Sequence, residues 1–361
     1  MAVDGLEIEG LLAPIPGEAP AGADLRADYS PTSLYFRLRD ARADARAAER
    51  AADADPDAET GLADGWRQVR ALAASALAEQ SKDLEIAAWL TEALVRSHGL
   101  AGLAFGAELL CALADRYWAE VFPRPDEDGL VTRLAPITGL NGEGGDGTLM
   151  QPLRKLPLFP ALDGGSIRLF QFEQSAELAT LADSKRAESR VKAGVKPFEQ
   201  AESEARAAGA AHFAALRAQA RAALSAWQAM GEALDRLAGP DSPPSGRVRE
   251  ILARVVEIAV RYAPPEQIEG EGAAAAGDGS ADAGQSSGPG GPRKVATRED
   301  ALRTLAELAD FFRRTEPHSP LSYTIDEAIR RGRLTWPELL AEVVSDDGVR
   351  RNILFGLGIK P

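Results

Sequence analysis

The stretch Lys82-Asp83-Leu84-Glu85-Ile86-Ala87-Ala88-Trp89-Leu90-Thr91-Glu92-Ala93-Leu94-Val95-Arg96-Ser97-His98-Gly99-Leu100-Ala101-Gly102-Leu103 decides the fold. A helix starting near Lys82 and Asp83 buries Leu84, Ala87, Ala88, Thr91 and Leu94, which recur at helical spacing. Gly99 stands where a left-handed C-terminal cap would end it. A second apolar stripe begins at once with Leu100, Leu103, Ala107, Leu110, Cys111, Ala114, Tyr117 and Trp118, and Pro123 stops continuation beyond Phe122. Two helices with almost nothing between them become antiparallel neighbours, the unit from which helical bundles are built.

Upstream, Ser30 is placed to cap a helix with Pro31 in its first turn, and Leu34, Leu38, Ala41 and Ala45 share one face through about Ala51. After a polar break around Asp53 to Gly61, Asp64 opens a helix in which Trp66, Val69, Ala73, Ala76, Leu77 and Gln80 keep helical spacing. Downstream come an acidic loop from Pro123 to Gly129, a short helix near Thr132 to Leu140 and the glycine-rich Asn141 to Gly147. Pro152, Pro157 and Pro160 make Leu149 to Phe159 read as extended chain, with a small hairpin near Ile167 to Phe172.

A long helix is expected from about Pro197 or Ala201 to Leu237, ended by Gly239 and Pro240, with Phe213, Leu216, Ala220, Ala223, Leu224, Trp227, Leu234 and Leu237 on its face. It pairs with a shorter helix from about Ser245 to Tyr262 that turns Val248, Leu252, Val255, Val256 and Ala259 inward. Glu266 to Pro292 is almost entirely Gly, Ala, Ser, Asp, Glu and Pro, a composition that buries too little apolar surface to offset its ordering entropy. Thr297 and Asp300 then open a helix carrying Leu302, Leu305, Leu308, Ala309 and Phe312, followed by helices over Leu321 to Arg331, Trp336 to Val344 and Val349 to Leu357. The expected fold is all-α: a helical N-terminal bundle over 1–165, a middle helical hairpin within 166–265, a disordered linker over 266–296 and a small C-terminal helical domain for oligomerisation or partner binding over 297–361.

At 361 residues and 45% hydrophobic content, the chain can fill more than one core, and with only 6% aromatic residues those cores come from alanine-rich helix packing. The formal charge of -14 repels phosphate backbones, so no nucleic-acid partner is expected. One cysteine, Cys111, makes no internal disulfide and no cysteine metal cluster, which points to the cytoplasm, and its place on an apolar stripe reads as a buried structural thiol. Met1 to Gly10, with Asp4, Glu7 and Glu9, is no secretory signal, and no apolar run of ~18 residues is read, so direct membrane insertion is not expected.

Candidate chemistry is sparse. Gly142, Gly144 and Gly147 match GxGxxG, but no strand precedes them, and Glu143 and Asp146 place negative charge where a phosphate would sit. Asp126, Glu127, Asp128 and Gly129 resemble part of an EF-hand, yet the register puts Arg124 in the first ligand position. His98, His212 and His318 are far apart, and Ser75, Ser81 and Ser319 lack a nucleophile-elbow pattern, so no catalytic residue, metal or cofactor is expected. The most unusual segment is Arg313-Arg314-Thr315-Glu316-Pro317-His318-Ser319-Pro320, in which two prolines bracket a His-Ser pair and fix a corner between helices. Arg313, Arg314, Glu316, Pro317, His318, Ser319 and Pro320, with Arg330, Arg331 and Trp336 beyond, are the candidate partner or oligomer contacts.

Several spaced stretches carry a family likeness: Pro20-Ala21-Gly22-Ala23-Asp24-Leu25, Trp66 with Val69, Lys82-Asp83-Leu84-Glu85-Ile86-Ala87, Gly99-Leu100-Ala101-Gly102-Leu103, Tyr117-Trp118, Pro123 to Arg133, and Arg154 with Pro157-Leu158. Together they resemble the ImpA N-terminal domain of the TssA family of bacterial type VI secretion systems. Glu85 stands where that family favours the arginine of an Asp-Leu-Arg pattern. Glu316-Pro317-His318-Ser319-Pro320, Ala328, Arg330, Arg331 and Leu339-Leu340 resemble the family's short-form members, while the Asn141 to Gly147 loop and the segment after Tyr262 depart from it. The resemblance implies a non-enzymatic structural component at the cytoplasmic side of the secretion apparatus, organising baseplate, inner tube and sheath through protein contacts and forming rings through its C-terminal region. A helical adaptor of another cytoplasmic complex remains an alternative, as does an enzyme using the acidic loop, His98 and the 141–147 glycines with a metal or nucleotide.

Overall fold

The computed structural model describes residues 2–54, 64–264, 298–315, 321–343 and 348, and its contacts divide the chain into two units, Met1–Gly270 and Glu271–Pro361. In the first unit a two-residue hairpin, β1 (Ala2–Val3) with β2 (Leu6–Glu7), leads into α1 (Ile8–Leu12), α2 (Leu34–Ala54), α3 (Asp64–Glu79) and the central α4 (Leu84–Tyr117). There follow α5 (Val131–Asn141), α6 (Met150–Arg154), the antiparallel pair β3 (Pro157–Pro160) and β4 (Ser166–Arg168), then α7 (Leu169–Thr180), α8 (Ser184–Lys192), α9 (Phe198–Ala208), α10 (Ala210–Ala238) and α11 (Gly246–Tyr262). The second unit holds α12 (Arg298–Thr315), α13 (Leu321–Arg333) and α14 (Trp336–Val343). The described residues are all-α apart from the two short hairpins.

Gly99 breaks α4 as the sequence requires. Its φ of 54° and ψ of -125° belong to a region that side chains with a Cβ avoid, and the two halves fold back on each other there. A Cβ on Gly106 would lie 2.3 Å from Thr91 Oγ1, and one on Gly102 would lie 2.1 Å from the Leu94 carbonyl oxygen. Two glycines on the second half therefore let the backbones approach, which a one-residue connection demands. By length and apolar composition alone α4 could cross a membrane, contrary to the sequence reading, but it is bent at Gly99 and serves as the core helix. From Leu84 to Val95 every residue except Glu85 is buried, so the expected single apolar face is in fact buried all round. Neighbours on several sides account for this: α1, α3, α5 and α10 all pack against α4.

Other boundaries move for local reasons. Ser33, not Ser30, caps α2, because Ser30 to Ser33 forms a turn in which the Ser33 amide donates to the Ser30 carbonyl at 2.9 Å and Pro31 takes the second position. Gln80 follows the end of α3 and is exposed. The extended reading of Leu149 to Phe159 fails over α6, and Pro152 is accommodated early in that helix, where a missing amide costs little. The hairpin does exist, but Ile167 pairs with Phe159, and Leu169 to Phe172 already belong to α7. The single long helix is two, split at Gly209 with a φ of 85°. Neither α7 nor α8 was evident from periodicity.

Helix α10 packs more extensively on α4 than on its hairpin partner α11, so segments 1–165 and 166–265 share one core that runs from Val3 to Ala259. In the second unit α12 packs on α13, with Leu302, Ala309, Ile329 and Leu340 buried. Leu308, expected inward, is 44% exposed, because the buried positions 302 and 309 define a face that passes it by. The sequence expectations for 266–296 and Val349 to Leu357 lie outside the described residues. Replacing Gly106 with Ala forces the Thr91 side chain to move within a full core, and we expect a loss of about 1–3 kcal/mol. The urea midpoint of the full chain measures it; an unchanged midpoint would show that the two halves of α4 are not closely packed.

Candidate functional site

The family-like residues converge on the extended step between α3 and α4. Residues 80–84 run between two other segments: the Lys82 amide donates to the Ala21 carbonyl at 2.8 Å and the Ala23 amide to the Gln80 carbonyl at 3.1 Å, while the Leu84 amide donates to the Phe122 carbonyl at 2.7 Å. Gly22 is required by this approach, since its φ is 76° and a Cβ would sit 2.1 Å from the Gln80 oxygen. Within this step Lys82 finishes α3, its buried ammonium donating to the Leu77 and Leu11 carbonyls at 2.6 and 2.7 Å. Burial pushes the ammonium down to about 8, which is still above neutral pH.

Asp83, fully buried, starts α4 by accepting the Glu85 and Ile86 amides at 2.8 and 3.2 Å. The same carboxylate accepts Arg26 at 2.7 and 3.2 Å, and Arg26 reaches Glu85 at 2.6 Å. Arg26 is itself placed by Asp24, which caps the short 3-10 turn Leu25–Ala27. Burial disfavours the Arg26 charge, but Asp83 and Glu85 outweigh it and raise its pKa. The Tyr35 hydroxyl donates to Glu85 at 3.1 Å, and burial together with that carboxylate pushes the phenol up to about 12. The guanidinium in this cluster comes from Arg26. Every acid in the cluster faces that cation, an arrangement that holds three segments together.

Two further pairs tie α2 to α4. Arg42 grips the buried Glu92 at 2.6 and 2.8 Å, and Arg96 grips Glu49 at 2.8 to 3.0 Å while its guanidinium stacks 3.9 Å from the Trp66 ring centre. None of these long-range partners has a sequence signal beyond the nearby Asp24-Leu25-Arg26.

The glycine-rich loop is a clip. Asn141 Oδ1 accepts the Val248 amide at 3.0 Å and so caps α11, and Arg247 donates to the Gly145 carbonyl at 2.5 Å. Asp146 pairs with Arg154 at 2.6 Å and Arg247 at 3.2 Å. A Cβ on Gly147 would lie 2.2 Å from the Leu140 oxygen, so the glycines permit tight loop closure. Asp126 accepts Asp128 N and Thr132 Oγ1, making the acidic loop a turn that leads into α5. His98 lies beside Ser97 Oγ at 2.8 Å, with its pKa lowered by burial and by Arg70; His212 Nε2 meets the Leu158 carbonyl at 2.7 Å, and His318 lies outside the described residues. Among the described residues no group of three or more His, Cys, Asp or Glu could hold a metal ion. Cys111 is only partly buried, with its sulfur 3.8 Å from Asp115 and from the Ala229 carbonyl on α10; burial raises its thiol pKa.

The candidate contact residues in the second unit are engaged with one another's helices. Arg313 of α12 pairs with Asp310 and, at 2.5 Å, with Asp326 of α13, and Arg314 donates to the Asp310 carbonyl at 3.2 Å. Arg330 and Arg331 of α13 share Glu327 at 2.8 Å and reach Glu342 of α14 at 2.5 and 3.2 Å. Glu316, Pro317, His318, Ser319 and Pro320 lie outside the described residues, as does the side chain of Trp336, whose backbone opens α14. Beside these pairs, Leu308, Phe311 and Tyr323 leave apolar surface exposed at 44, 50 and 72%.

Two measurements probe these clusters. Asp83→Ala strands Arg26 and uncaps α4 together, so we expect a loss of about 3–5 kcal/mol in urea unfolding, far beyond a surface substitution. Hydrogen bonding from Arg330 holds the Glu327 carboxyl at about 2 against an ordinary 4.5. A depressed carboxyl stabilises fully above its unfolded value and loses that contribution as pH falls through its folded value. Amide protection in α13 should therefore fall between pH 4.5 and 2, and Glu327→Gln should flatten that dependence.

Residues 12–142 match the family model for ImpA, N-terminal, type VI secretion system. The chain is 29% identical over 293 residues to the type VI secretion system component TssA1 of Pseudomonas aeruginosa, covering 78% of this chain and 80% of that protein. It is similar, with a TM-score of 0.57 and 28% identity, to the solved N-terminal domain including the conserved ImpA_N region of the TssA component of the type VI secretion system from Burkholderia cenocepacia, across 71% of this chain and 92% of that structure.

Proposed function

We propose that this chain, which is similar to TssA components of type VI secretion systems, is a non-enzymatic organiser of baseplate, inner-tube and sheath assembly that self-associates through residues 297–361. Its place of action is the cytoplasmic side of the secretion apparatus. The observation that carries the reading is the exposed apolar side chains of Leu308, Phe311 and Tyr323, which belong to a unit in which Arg313, Arg330 and Arg331 are already paired with acids. Arginines neutralised at home leave apolar burial as the driving term for association, with the paired charges forming a polar rim. Arg313, Arg314, Arg330 and Arg331 then orient the contact, and the Glu316 to Pro320 corner with Trp336 extends it. The first unit contributes a helical body in which α2 is tied to α4 by the Arg42–Glu92 and Arg96–Glu49 pairs.

Light scattering of the full chain at micromolar concentration should give a multiple of 38.2 kDa. Leu308→Asp with Tyr323→Asp should shift it to the monomer while leaving the melting of the first unit in place. A strictly monomeric unsubstituted chain would refute self-association. Capture from the native cell should bring sheath, tube or baseplate subunits with it.

A further inference from the structure

We propose that a cavity of about 680 Å³ within the first unit, beside the Gly99 break, binds an apolar chain ending in a carboxylate. Its size lies within the range of small-ligand sites, roughly 300–1,000 Å³. Leu100, Leu156, Leu216, Val95 and Val255 supply apolar wall, contributed by both halves of α4 and by residues from α10 and α11. Five charged side chains line it besides: Glu49, Asp53, Arg96, Lys155 and Arg168.

Four of the five are committed to each other. Both Glu49 oxygens are gripped by Arg96, and Asp53 takes Lys155 and Gln151. Arg168 remains. It ends β4, is half-buried, and among the described residues no carboxylate or carbonyl accepts from its guanidinium. Arg168 is therefore the one charged group on this wall with no protein counter-charge among the described residues, and it is free to receive an anion. A carboxylate matches it, because one planar guanidinium forks onto two carboxylate oxygens. A phosphate, with more charge to neutralise, would meet a single uncommitted cation in a chain of net charge -14. The apolar wall asks for an aliphatic body behind that head group. Such a ligand is either a free aliphatic acid or the C-terminal end of a polypeptide, and this inference does not depend on the assembly role proposed above.

The test is calorimetric titration of the full chain with octanoate, with octylammonium as the charge-reversed control. A parallel arm uses a leucine- and valine-rich hexapeptide with a free C-terminal carboxylate and the same peptide amidated. Arg168→Gln, and Gln219→Trp to obstruct the cavity from α10, are run beside the unsubstituted chain, with helical circular dichroism and melting temperature confirming that both fold. Support consists of saturable binding of octanoate or of the free-acid peptide, failure of its control, and weakening by about tenfold or more in both variants. Tighter binding of octanoate identifies a free acid as the source, and tighter binding of the peptide identifies a chain end. The proposal is overturned if neither carboxylate binds at millimolar concentration, if octylammonium or the amide binds equally well, or if Arg168→Gln leaves affinity unchanged.

Discussion

The Lys82 ammonium and the Asp83 carboxylate sit one residue apart in the core, yet they serve opposite helix ends. Lysine takes the free carbonyl left where α3 stops, and aspartate takes the free amides left where α4 begins. Burying a cation and an anion side by side is costly unless each has its own partners, and here each does. Because those partners include Leu11 and Arg26, the same two residues also fix α1 and the Ala21–Arg26 segment. A shift of register by one residue would put either the lysine at the amide terminus or the aspartate at the carbonyl terminus, so the joint has one stable reading.

The Gly99 reversal is the second constraint, and it works by proximity. With one residue between two helix halves, no side-chain volume fits at the crossing, and Gly102 and Gly106 meet that condition. The result is a central helical hairpin buried on nearly all sides, around which α1, α3, α5 and α10 are arranged.

Much of this was legible in the sequence because helix ends announce themselves through short-range chemistry. Asp64, Asp83, Gly99 and Gly239 each mark an end, and apolar spacing located α3, α10, α11 and the buried faces of Leu38, Ala41 and Ala45. The failures share a cause: they depended on contacts distant in sequence. The apolar stripe read as one helix from about Pro197 or Ala201 to Leu237 runs across Gly209, where the chain in fact breaks, and α8 buries nothing that would have betrayed it. The glycines after Asn141 read only as a departure from the family pattern, and their role became visible with the capped Val248 amide, more than a hundred residues away. Of the candidate contact residues, the sequence placed Arg330 and Arg331 on their helix but read Arg313 and Arg314 as part of the corner after α12, whereas they form its last turn, and it could not show that Asp326, Glu327 and Glu342 would engage these arginines.

Helix α10 bears on the evolutionary modularity of this region. The recognisable family span closes at residue 142, but the flank of α4 is roofed by α10, with Arg236 reaching Asp115 at 2.8 Å, and α11 takes its cap from Asn141. A seam at which one such chain's head could be spliced onto another's tail therefore lies after Tyr262, 120 residues beyond the end of the ImpA N-terminal match at residue 142. Recombination at the earlier point would leave a greasy flank without its roof and a helix without its first anchor.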